Sequence, residues 1–163
     1  MSELENSDLL KRVLKALYTA AARRTTHNFA VVVIDTIIKT LEQRYDFLKH
    51  VRINSEGDSE DFIDIGSDIN SVLPARIGKA IEDIVQVVDM DLKEKAGQYF
   101  IKEIEGNAGE EVISKLRECG VDLELFMLHQ HYLYRLQQRE KKTKNAVKGE
   151  TEKQSIDNTG VMG

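Results

Sequence analysis

The chain has 163 residues, a net charge of −5 and one cysteine, with 31% charged and 41% apolar residues, the profile of a soluble globular protein long enough to bury a core. Cys119, being alone, excludes an internal disulfide, and the acidic balance disfavours nucleic acid as a general partner without excluding it. The longest strongly apolar run, Phe29 to Ile34, falls far short of the roughly 20 residues that span a bilayer.

The opening MSELENSDLLKR carries acids where a secretion signal needs a basic start and an apolar run. With the unpaired cysteine, this leads to the expectation of a cytoplasmic protein without a membrane role. Leu9, Leu10, Val13, Leu14, Leu17 and Ala21 then recur at helical spacing and predict an amphipathic helix from about Ser7 to Arg23, with Ser7 and Asp8 as caps. A second helix is expected over Thr26 to Arg44. Phe29, Val33, Ile37, Leu41 and Tyr45 step by four along it, and Ala30, Ile34 and Ile38 widen that face. Exposed N–H groups at its start, beside Arg23, Arg24 and His27, form a candidate anion site; ordinary capping with solvated arginines is the competing reading.

From Phe47 to Asn54 the period shortens to two, as in a strand, and Phe62 to Ile65 reads as its partner in an antiparallel hairpin. The intervening NSEGDSED is acidic, but its sixth and twelfth positions counted from Glu56 are Asp61 and Ser67, which fails the EF-hand pattern. Pro74 suits the first turn of a helix. The stripe that follows, from Ile77 to Ile104, could be one helix about 45 Å long. Asp89 to Asp91 or Gly97 are the places where it would break. Ile77, Ile81, Ile84, Val88 and Leu92 on this stripe are a candidate homodimer face, because a helix that long would overhang a globule whose radius of gyration is about 15 Å.

Gly106 is the expected stop, and Asn107 with Glu110 has capping-box spacing for a helix carrying Val112, Ile113, Leu116 and Cys119 and ending at Gly120. Cys119 reads as a buried thiol in an acidic setting, which suits structure better than nucleophilic chemistry. Asp122 caps a last helix, from Leu123 to about Glu140. It contains HQHYLYR, where His129 and His131 lie about 200° apart around a helix and cannot chelate one ion together. No metal or cofactor is expected. Arg135, Arg139 and Lys141 begin a basic stripe that continues into the tail, which has the alternatives of a solubilising helix end or a contact with phosphate backbones. Residues 141–163 are polar and predict a disordered tail beyond a single globular domain of residues 1–140.

The fold class expected is α+β, mostly helical: a helical bundle with a small antiparallel β-hairpin. No phosphate-binding glycine loop, nucleophile elbow or other catalytic signature occurs, so a non-enzymatic regulatory or interaction module is the first functional expectation, with protein as the partner. One alternative is a small-ligand or cofactor sensor whose pocket is lined by Phe29, Tyr99, Phe100, Phe126, His129 and Tyr132. Another is a nucleic-acid-binding regulator that uses the basic C-terminal helix end.

Overall fold

The computed structural model describes residues 4–54, 62–97 and 99–140. The acidic loop between the hairpin strands and the C-terminal tail therefore lie outside the described residues. Two compact units divide the chain after Met127.

In the first unit, α1 (Asn6–Arg24) is the hub, packing against α2 (His27–Leu41), α3 (Pro74–Leu92), α4 (Phe100–Ala108), α5 (Glu110–Glu118) and the second hairpin strand. Its sequence explains this role. Leu9, Leu10, Val13, Leu14, Ala16, Leu17, Ala20 and Ala21 are all buried, and the small alanines let neighbouring backbones approach closely. Ser7 and Asp8 do not cap it, which corrects the expectation: they lie inside the helix, and the cap position is Glu5, whose side chain makes no capping bond. The first turn is served from a distance instead. The Asn70 side-chain oxygen accepts from the Ser7 N–H at 2.8 Å, and the buried Asn6 amide donates to the Ile69 and Val72 carbonyls at 3.1 and 2.7 Å.

α2 begins as expected, with the Thr26 hydroxyl accepting from the Phe29 N–H. Its buried face differs from the expected one. Ala30, Val31, Ile34, Ile37, Ile38 and Leu41 are buried, whereas Phe29 is exposed and Val33 only half-buried. The stripe is rotated because this helix has apolar residues nearly all round, so periodicity alone left its inward side undetermined.

The expected hairpin is present but short. β1 (Val51–Ile53) pairs antiparallel with β2 (Ile63–Ile65), setting Val51 opposite Ile65 and Ile53 opposite Ile63. Phe47 belongs to a 3-10 segment, Asp46–His50, rather than to the strand. A second 3-10 segment, Ser67–Ser71, leads to α3, with Pro74 at its start.

The stripe after Pro74 is not one helix. α3 ends at Leu92, the next residue Lys93 adopts φ +54°, and Gly97 follows at φ +70° before α4 begins. The two halves thus turn back onto one core, where Ile77, Ile81, Ile84, Val88 and Leu92 are all buried. Gly106 does not end α4. Gly109, at φ +90°, does, and Asn107 sits inside the helix, its amide donating to the Ala16 carbonyl at 3.4 Å instead of capping α5. α5 closes in a Schellman arrangement: Gly120 takes φ +89°, the Gly120 and Val121 N–H groups donate to the Arg117 and Leu116 carbonyls, and Val121 and Leu116 are both buried.

Residues 123–140 are helical and are called α6. Asp122 caps this helix as expected, accepting from the Glu124 and Leu125 N–H groups at 3.0 and 3.3 Å. Leu123, Phe126 and Met127 pack on the core of the first unit, and the residues from Leu128 onward form the second unit. The architecture is α+β and mostly helical, with one two-stranded sheet among the described residues.

Candidate functional site

The last turn of α1 presents Arg23 and Arg24, beyond the apolar stripe that ends at Ala21. The start of α4 presents Tyr99, Lys102 and Glu103. These five residues line a cleft of about 550 Å³. One Glu103 oxygen accepts from the Arg23 guanidinium at 2.5 Å, and the other accepts from Arg24. Arg24 is heavily committed. Its Nε donates to the Ala96 carbonyl at 2.9 Å, its Nη1 also donates to the Ala20 carbonyl at 3.0 Å, and its guanidinium lies 5.2 Å over the Phe100 ring. Arg24 therefore clamps the end of α1 to the α3–α4 connection and to α4. Arg23 has no such ties, and its side chain is 77% exposed.

Of the expected anion set, the fold brings Arg23 and Arg24 together and leaves His27 out of the cleft lining. The His27 ring stands edge-on to Tyr18, with centroids 5.4 Å apart, and its Nδ1 shares a hydrogen bond with the Tyr18 hydroxyl. Lys102 and Glu103 were not singled out in the sequence. An acid in the first turn of a helix is an ordinary pattern, and nothing in it points to an arginine pair some eighty positions earlier.

Of the six residues of the expected aromatic pocket, the four in the first unit are dispersed. Phe29 is exposed, with the Lys95 ammonium 5.9 Å from its ring centre. Phe100 is in the core, Phe126 packs half-buried against it, and Tyr99 lines the cationic cleft. His129 and Tyr132 are exposed residues of the second unit. A second cleft, about 620 Å³, includes Asp46, Lys49, His50, Asp68 and Arg76 in its lining, with the Arg76 guanidinium 5.5 Å over Phe47. Neither cleft gathers more than one of the six.

The five side chains of the candidate dimer face are covered by the chain itself, because the break at Lys93 removes the overhang that would have exposed them. Among the described residues no group of three or more His, Cys, Asp or Glu side chains is placed to hold a metal. Cys119 is buried, and burial pushes its thiol up, away from the thiolate a nucleophile needs. Tyr45 donates to the buried Asp83 carboxylate at 2.5 Å, and Arg44 approaches the same oxygen at 3.2 Å. Burial and then Asp83 push the tyrosine hydroxyl up, which suits a permanent donor tying the end of α2 to α3.

Fold and cleft together define a mostly helical α+β protein with a cationic groove at one end of its central helix. Comparison with protein-family models, curated proteins and solved structures finds no match for this chain. Among the described residues no helix is long and apolar enough to cross a membrane.

Proposed function

We propose that the chain is a non-enzymatic interaction module, that its docking element is an exposed apolar face of α6, and that the partner is a second copy of itself. One observation carries this reading: Leu128 and Tyr132 are 59% and 60% exposed one helical turn apart, flanked by exposed Leu125 and half-buried Leu136 at gaps of three and four. Large apolar side chains repeating at that spacing on an exposed helix are the pattern of a helix that packs on another. Charge favours self-pairing. Asp122 and Glu124 lie at the N-terminal end of the helix and Arg135 and Arg139 toward its C-terminal end, so two antiparallel copies set opposite charges together at both ends, along with opposed helix dipoles. The buried, unpaired Cys119 suits a reducing compartment such as the cytoplasm.

Light scattering across a dilution series tests the reading. The expected mass is near twice the monomer value of 18.5 kDa at high concentration, reduced to the monomer by Leu128→Asp combined with Tyr132→Asp, with helical signal retained. A monomer mass at every concentration overturns it.

A further inference from the structure

We infer that the cleft between α1 and α4 binds a small phosphate-bearing oxyanion, held by Arg23 and Lys102 against the wall formed by Tyr99. Three cations, Arg23, Arg24 and Lys102, share the cleft with one carboxylate, Glu103. The lining therefore carries a net +2 in a chain whose total is −5. Arg24 alone neutralises Glu103: the pair is largely buried, with side chains 19% and 17% exposed, and further bonds to two carbonyls hold Arg24 in place. Arg23 is then the surplus partner. Its side chain is 77% exposed although the Glu103 it touches is only 17% exposed, and an ion pair with one partner in solvent is weakened by screening and can be exchanged for another anion. Lys102 makes no ion pair among the described residues.

The two available cations come from different helices and converge on one concavity. A concavity whose lining carries a net positive charge raises the local concentration of anions. A guanidinium presents two parallel donors that match a phosphoryl group, and an ammonium adds a point charge from the other side. A phosphate dianion balances the +2, whereas a monocarboxylate leaves one charge uncompensated. The about 550 Å³ of the cleft accommodates a phosphate together with a small organic group beside the Tyr99 ring.

The test is a titration of the full chain, followed by amide NMR, with inorganic phosphate, phenyl phosphate and acetate at matched ionic strength. Saturable shifts confined to residues around Arg23, Arg24 and Tyr99 to Glu103 are expected with the phosphates and not with acetate. Tighter binding of phenyl phosphate identifies a phosphate monoester as the ligand class, and equal binding identifies free phosphate. Lys102→Gln and Arg23→Gln should each weaken binding about tenfold, the loss of one charge-assisted contact, with an unchanged melting midpoint, since neither side chain is buried. Shifts of the same size with acetate, or binding that survives both substitutions, overturn the site.

Discussion

Gly78 shows how little room the core leaves. A Cβ built on it would lie 2.3 Å from the Cys119 carbonyl oxygen and 3.0 Å from the Cys119 Cβ, so α3 and the end of α5 meet backbone to backbone. Gly78→Ala should destabilise by about 1–3 kcal/mol, the usual cost of overpacking, although alanine is the better helix former. Urea unfolding measures this, and a neutral or stabilising result would mean the two helices can separate freely. Asp89, half-buried on α3, behaves differently from a surface carboxylate. Burial pushes its carboxyl from the ordinary 3.8 up to about 6. The folded state therefore holds this proton more tightly than the unfolded state does. Its contribution opposes folding as the group ionises, so stability falls as pH rises from about 4 through about 6. Asp89→Asn should flatten that part of the curve and raise stability at neutral pH. Thermal melts of both proteins across that range check the sign.

At the scale of elements, the decisive event is the end of α3. Lys93 holds φ +54° with ψ −125°, backbone space that favours glycine, and the turn it makes returns the chain for α4. The strain is tolerated because Leu92 and Ala96 are both buried on either side and Arg24 grips the Ala96 carbonyl. Lys93→Gly should stabilise by about 0.5–1 kcal/mol, raising the melting midpoint by a few degrees, since relief of the left-handed strain outweighs the added freedom of the unfolded chain. A fall in the midpoint would show that the lysine side chain contributes more than its backbone costs.

For the whole molecule, the core cluster and the partly buried residues packed on it end at Met127. A chain truncated after Met127 should keep its melting midpoint within a few degrees, because no residue of that cluster is removed. The same truncation deletes Leu128, Tyr132 and Leu136 and should therefore yield a monomer. Unfolding on truncation would show that the helix beyond Met127 is needed for the core, and a persisting dimer would place self-association elsewhere.

Much of the architecture follows from local pattern. The stripe of α1, the Thr26 and Asp122 caps, Pro74 at the start of α3, the Gly120 stop and the period-two segments of the hairpin each depend on residues within a few positions of one another. Their physics is that of caps, turns and amphipathic faces. Other features depend on residues far apart in the chain. Asn70 serves the first turn of α1, Glu103 joins two arginines on another helix, and the absence of a side chain at Gly78 makes room for Cys119. The break falls at Lys93, between the Asp89–Asp91 and Gly97 positions where the sequence allows one, and Gly97 takes positive φ beside it. Lys93 itself is not legible because its residue type does not advertise positive φ and the apolar rhythm runs on into α4 without a change of spacing. That rhythm determined which side chains are buried. Only the tertiary structure decided that they are buried against their own chain, since a stripe states the need for cover and the folded backbone determines what provides it.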